Sequence, residues 1–270
     1  MQLFPDSKTF IELGPLSIQW YALLILTGAI IAYLLGQYNF KKLGYNKEIL
    51  SDYFFGLMAV GIIGARIWYV IFMWQELYAA HPEEIIMINH GGLAIQGGIV
   101  FGLIFSYWYF KKKNISFLEA GDAIMPGVLI AQAFGRWGNF FNQEAHGGEV
   151  SLKFLKSLHL PNFIIEGMHI DGVYYHPTFL YESVGCVIGF LLIILVVRKL
   201  ANKTGYEFFS YFIWYGIIRF FIEGLRTDSL YFLGLRMAQL TSIAFIILGI
   251  IGFIYVYKWE PPKKRSYKPD

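Results

Sequence analysis

Apolar runs of about 20 residues recur along this chain, each long enough to carry a helix across the hydrocarbon core of a bilayer. Lipid offers backbone N–H and C=O groups no partner, so runs of this kind must satisfy themselves as helices. Seven spans fit, at about 17–38, 51–74, 93–110, 118–138, 177–197, 206–225 and 236–257. Of 270 residues, 56% are hydrophobic, and nearly all belong to spans or short connections. The expected fold is therefore all-α: a polytopic membrane helix bundle with seven transmembrane helices, forming a single integral membrane domain over 1–270.

Charge sets the orientation. Lys41, Lys42 and Lys47 follow the first span, Lys111 to Lys113 the third, Arg198, Lys199 and Lys203 the fifth, and Lys258, Lys263, Lys264, Arg265 and Lys268 the last. The positive-inside rule makes these four connections cytoplasmic, with the N-terminus outside and the C-terminus cytoplasmic. The longest connection, about 139–176, is then an external loop region, and its Gly, Pro, Asn and Asp content indicates a folded loop. The N-terminus lacks a basic segment ahead of its first apolar run, so that run reads as a retained span. A net charge of only +3, distributed in this way, serves topology and excludes nucleic acid as a partner. The single cysteine, Cys186, lies in an apolar run, where packing is its expected role.

Against this background the polar residues within spans stand out, because an arginine near the bilayer centre costs about 2.5–3.5 kcal/mol on insertion scales. Most fall in the outer half: Tyr21, Arg66, Tyr69, Gln96, Arg136, Glu182, Tyr215, Arg219, Glu223 and Arg226, with Asp122 the exception at the inner side. At 100° per residue, Tyr215, Arg219, Glu223 and Arg226 lie within about 80° on one helix face. Such a stripe serves either an internal Arg219–Glu223 pair or a bound anion. Arg136 and Arg226 exceed the carboxylates evident at similar depth, which favours the anion. The glycines of His90-Gly91-Gly92-Leu93-Ala94-Ile95-Gln96-Gly97-Gly98 permit either close helix packing or an irregular backbone beside a cavity. Gly61 and Gly64 read as packing residues, and His176 as a cap or interface residue ahead of Pro177.

Several of these residues fall in blocks that resemble the bacterial prolipoprotein diacylglyceryl transferase family. The family signature is similar to Gly135, Arg136, Gly138, Asn139, Phe140, Asn142, Glu144 and Gly147. Further matches are Trp20-Tyr21 in the first span, Gly64, Arg66 and Tyr69 in the second, and His176, Pro177, Leu180, Tyr181 and Glu182 at the fifth. A last block matches Tyr215, Gly216, Arg219, Glu223 and Arg226. The resemblance runs from about residue 14 to 257 in the same order and spacing. One position departs from it: where much-studied members carry a histidine in the double-glycine block, this chain has Gln96, which takes no proton at neutral pH.

The resemblance implies transfer of the diacylglyceryl group of phosphatidylglycerol to the lipobox cysteine thiol in the signal peptide of a preprolipoprotein. A thioether forms and glycerol 1-phosphate leaves, with neither metal nor cofactor. It implies a multi-pass protein of the bacterial cytoplasmic (inner) membrane, in contact with membrane lipid, its active site facing the extracytoplasmic side. The catalytic set on this reading is Arg136, Arg219, Tyr21, Glu223 and His90. Arg136 and Arg219 take the phosphate, which a guanidinium fork suits. Glu223 positions an arginine, and His90 is the candidate base. Substrate binding falls to Arg136, Asn139, Glu144, Gly147, Arg66, Tyr69, Gln96, Tyr215, Arg226 and Glu182. The alternative is an anion or lipid transporter with an arginine-lined outward cavity, which requires polar residues to continue to the inner face; apart from Asp122 they do not.

Overall fold

The computed structural model describes residues 2–3, 8–13, 16–229, 231–232 and 234–259. Lys263, Lys264, Arg265 and Lys268 of the predicted inner tail lie outside the described residues. The chain is built mainly of helices: α1 (Trp20–Lys42), α2 (Lys47–Phe72), α3 (Ile95–Lys112), α4 (Phe117–Asn142), short α5 (Leu152–Ser157) and α6 (Asn162–Gly167), α7 (Thr178–Leu192), α8 (Arg198–Leu200), α9 (Tyr206–Leu225) and α10 (Met237–Trp259). A π-helical turn, Ile193–Val197, joins α7 to α8.

Six helical segments are long and apolar enough to cross a membrane: α1, α2, α4, Thr178–Leu200, α9 and α10. The chain is a multi-pass helical membrane protein. The predicted third span is helical too, but α3 has only 18 residues and closes on Lys111 and Lys112, which lowers its mean hydropathy. The all-α expectation needs one correction, since three small antiparallel sheets occur among the described residues. They comprise β1 (Gln2–Leu3), β2 (Thr9–Leu13) and β3 (Leu16–Gln19); β4 (Glu149–Val150), β5 (His169–Ile170) and β6 (Val173–Tyr175); and β7 (Tyr231–Phe232) with β8 (Leu235–Arg236). All lie in connections or ahead of α1, where chain reversals leave backbone groups to pair across strands.

The described residues divide into two compact units, a larger one of residues up to Gly36 with those from Gly121 onward, and a smaller one of Gln37–Ala120. In the larger unit α1 runs antiparallel along α4 through small residues. A Cβ on Gly28 would sit 2.9 Å from the Ala131 carbonyl oxygen, and one on Gly127 3.0 Å from that of Ala32. Gly216 of α9 is as close to α10, 2.8 Å from the Ser242 carbonyl oxygen by the same measure. Without a hydrophobic drive between helices in lipid, such backbone approach supplies the dispersion that holds spans together. Asp122, the inner polar exception, is buried and accepts hydrogen bonds from the backbone N–H groups of Gly205 (2.7 Å) and Phe208 (2.9 Å). It caps the start of α9, meeting donors that a helix N-terminus leaves unpaired.

The predicted external loop region is a small folded body. The order β4-β6-β5 and helices α5 and α6 cover a core of Phe140, Leu155, Ile164, Ile165, Met168 and Phe179. Phe140 lies near the end of α4 and Phe179 near the start of α7, so this body fixes the end of one helix against the start of the other. In the smaller unit α2 and α3 pack closely through Gly64 and Gly97, and a Cβ on Gly98 would meet the Gly61 carbonyl oxygen at 3.2 Å. The packing reading of the glycine block holds at one end, and the other end is irregular backbone lying against Arg66 and Tyr69. Gly97 and Gly98 serve packing, while Gly91 (φ 86°) and Gly92 (φ 78°) form an irregular turn that a side chain would strain.

Candidate active site

Glu182 organises the predicted residues of the larger unit. It sits on the first turns of α7, 1% exposed. Its Oε1 lies 3.1 Å from Arg136 Nε of α4 and accepts from the Tyr215 hydroxyl of α9 at 3.2 Å. Its Oε2 accepts from Arg219 Nη1 at 3.3 Å. One carboxylate thus ties three helices. Arg219 is held on its other side by Glu223, 2.7 Å away at i,i+4, and Glu223 lies 3.9 Å from Arg226.

The signature segment extends this cluster along α4 and over its end. Arg136 Nη1 donates to Asn139 Oδ1 at 3.2 Å, and Asn139 Nδ2 donates to Glu144 Oε1 at 2.9 Å. Asn142 Nδ2 donates to the same oxygen at 3.3 Å. The helix stops at Asn142, and positive φ angles at Gln143 (55°) and Ala145 (57°) fold Glu144 back over the last turn. Asparagines at the two positions one turn apart are what allow one carboxylate to receive both amides.

Gly147 then clasps this segment to the neighbouring elements. Its N–H donates to the His176 carbonyl (3.0 Å), and it forms an isolated bridge with Arg226. Gly148 N–H donates to the Leu225 carbonyl (3.0 Å), and Thr178 Oγ1 to that of Ala145 (2.8 Å). Gly147 is buried among these contacts and acts on backbone register, so its place in the family signature has a packing reason. Tyr21 has a comparable one: its ring lies on Gly138, where a Cβ would come within 2.6 Å of it.

The expected surplus of arginines is not found. Arg136 pairs with Glu182, and Arg226 pairs with Asp228 at 2.9 and 2.7 Å, a carboxylate beyond the end of α9. The charges are nonetheless arranged asymmetrically. Glu182 and Glu223 keep 2% and 3% side-chain exposure, whereas Arg136 and Arg219 keep 23% and 18%. The carboxylates are almost fully enclosed, while the Arg136 and Arg219 side chains keep part of their surface accessible. Each guanidinium carries five donors, more than these contacts occupy, so an approaching anion meets aimed N–H groups without a net positive charge. The Asp228 carboxyl is held below its ordinary value by its hydrogen bonds to Arg226.

Arg66, Tyr69, His90 and Gln96 belong to the smaller unit and form their own group. Arg66 is buried, and its guanidinium donates to backbone carbonyls of Ile85 (2.9 Å), Gly91 (2.6 Å), Gly92 (2.9 Å), Met87 (3.2 Å) and Glu84. These bonds make it an anchor for the 84–92 loop. Tyr69 packs over Gly92. His90 Nδ1 lies 2.8 Å from Glu84 Oε2 with the imidazole exposed, and Gln96 is exposed on the first turn of α3.

The fold is that of a multi-pass helical membrane protein in which two buried carboxylates hold arginines of neighbouring helices. The family model for prolipoprotein diacylglyceryl transferase matches residues 8–255, and the chain belongs to that family. A phosphatidylglycerol–prolipoprotein diacylglyceryl transferase of Staphylococcus carnosus (strain TM300) is 47% identical over 259 residues, covering 95% of this chain and 93% of the relative. Its namesake in Staphylococcus haemolyticus (strain JCSC1435) is 48% identical over 263 residues, covering 97% and 92%. In Staphylococcus aureus (strain Newman) identity is 49% over 253 residues, covering 93% and 90%. These comparisons support the enzyme and give the transporter alternative no support.

Proposed function

We propose that this chain transfers the diacylglyceryl group of phosphatidylglycerol to the lipobox cysteine thiol of a prolipoprotein. The substrate sulfur attacks the glyceryl carbon bonded to phosphate oxygen; the C–O bond breaks as the C–S bond forms. The leaving group is glycerol 1-phosphate, and the thiol proton departs to solvent or to that phosphate. Relatives named for this reaction cover nearly the whole chain. The single observation that carries the site assignment is that Glu182 holds Arg136 and Arg219 together.

In this reading Arg136 and Arg219 take the phosphate oxygens, and their hydrogen bonds speed the reaction to the extent that they strengthen as charge collects on the leaving oxygen. Asn139 and Glu144 receive the headgroup glycerol, Tyr21 and Tyr215 hydrogen-bond the lipid, Glu223 holds Arg219 in place, and Arg226 belongs to the substrate-binding set. A free thiol ionises near pH 8.5, roughly, so a few per cent of thiolate exists at neutral pH and the step proceeds without a dedicated base. His90 therefore carries no step of this proposal.

The membrane arrangement follows the same reading: one integral domain over 1–270, with α3 as a seventh span and the arginine cluster on the extracytoplasmic side of a bacterial inner membrane. Basic last turns support the orientation, with Lys41 and Lys42 in α1, Lys111 and Lys112 in α3, Arg198 and Lys199 in α8, and Lys258 in α10. The test is purified protein in phosphatidylglycerol micelles with a lipobox peptide, followed by mass spectrometry. Thioether peptide and glycerol 1-phosphate are expected in equal amounts, and both are lost in Arg136→Ala. Near-normal turnover in Arg136→Ala and Arg136→Lys would refute the phosphate assignment.

A further inference from the structure

Below the arginine cluster, one helical turn further into the membrane, lies a second polar rung. Gln132 precedes Arg136 by four residues on α4, and Tyr211 precedes Tyr215 by four on α9, so the rung repeats the register of the site above it. Gln132 Nε2 donates to the Tyr211 hydroxyl oxygen at 3.0 Å. Tyr211 is buried, and its ring stacks on that of Tyr215 with centroids 5.8 Å apart and planes 8° from parallel. Tyr215 in turn donates to Glu182 Oε1, the oxygen that faces Arg136 Nε.

This rung is poorly designed for stability. Gln132 Oε1 is buried and has no hydrogen-bond partner among the described residues. Turning the amide over exchanges the end that meets Tyr211 and leaves the other end unpaired. An unpaired amide pole inside a span costs free energy that an apolar pair of similar shape avoids, and local rules of this kind are broken mainly at functional sites.

We propose that Gln132 and Tyr211 are positioning residues for the transferase reaction. By fixing the height of the Tyr211 ring, Gln132 sets the stacked Tyr215 ring, keeps its hydroxyl on Glu182 and so holds the Arg136 guanidinium in its working orientation. Neither residue touches the reacting atoms. The inference rests on the transferase reading above and adds two residues to it.

Replacing both partners by apolar groups tests it, because Gln132→Leu with Tyr211→Phe removes the bond and the orphaned oxygen together while keeping the ring stack. Turnover against phosphatidylglycerol mole fraction and thermal unfolding in detergent are measured on the same preparations. The expected result is a kcat lower by roughly ten-fold, KM for phosphatidylglycerol unchanged and a melting temperature equal to or above that of the parent. Gln132→Met alone is expected to lower kcat by the same factor as the pair, since both act through one bond. A parent-like kcat in the double variant, a change confined to KM, or a rate loss that tracks loss of folded protein overturns the proposal. A parent that forms no thioether refutes the transferase reading and this role with it; a working parent matched by the double variant refutes the rung alone.

Discussion

The Glu182 carboxylate lies 3.1 Å from the Arg136 guanidinium, and its second oxygen is committed to Arg219 at 3.3 Å. Two arginines from different helices are thereby aimed by a single buried anion on a third. Glu182→Gln keeps the shape and removes the charge, so Arg136 loses its carboxylate partner and Arg219 is left with Glu223 alone. Breaking a buried pair costs about 3–5 kcal/mol. The expected outcome is at least a roughly hundred-fold loss of thioether formation, about what removing one preorganised electrostatic contact costs, with a lowered melting temperature. Parent-like turnover in Glu182→Gln would show that the arginines do not depend on it.

Gly147→Ala is expected to disturb the clasp between the signature segment, α7 and α9. The new methyl would sit 2.6 Å from His176 Cβ, 3.0 Å from Thr178 Cγ2 and 3.1 Å from the Leu225 carbonyl oxygen. Overpacking of this kind costs about 1–3 kcal/mol and shifts the backbone. Faster proteolysis between 143 and 178 together with lost turnover is the expected pair of results; retained activity with parent-like protection contradicts the clasp.

Arg66 separates two roles cleanly. As the anchor of the 84–92 loop, its loss in Arg66→Ala should leave these backbone carbonyls without their donor and speed amide hydrogen exchange across that segment. Arg66→Lys offers three donors from one point and restores only part of the protection. A raised KM for phosphatidylglycerol with unchanged exchange would instead return Arg66 to the headgroup.

His176 gives a pH prediction. Its imidazole is held below its ordinary pKa of 6.5 by burial, so folding favours the neutral ring. A depressed folded value means that this contribution is fully present above the unfolded value and is lost as pH falls through the folded one. Thermal stability should therefore decline as pH falls below about 6.5, and His176→Asn should flatten that part of the profile. An identical decline in the variant would assign it to other groups.

The candidate site was legible in unequal parts. The stripe Tyr215, Arg219, Glu223, Arg226 follows from helical period alone, and the Arg219–Glu223 pair is local at i,i+4. Glu182 was evident as a polar residue near a span entrance, but its bond to Arg136 joins positions far apart in the chain, and no periodicity encodes which helices touch. The same limit hid the rung of Gln132 and Tyr211, whose only signal was an amide inside an apolar run. Arg66 and Asp122 were visible as charges at membrane depth, yet their partners are backbone groups, which every residue carries and which sequence cannot distinguish.

Sequence by itself determined that this chain is helical and membrane-spanning, because hydrocarbon forces long apolar runs to pair their own backbone, and it determined which costly side chains had to be satisfied. Only the tertiary structure decided how: Arg136 by Glu182, Arg226 by Asp228, Arg66 by a loop of carbonyls and Asp122 by the start of α9. Burial makes a partner obligatory, but close packing of helices at their glycines sets which partner is within 3 Å or so.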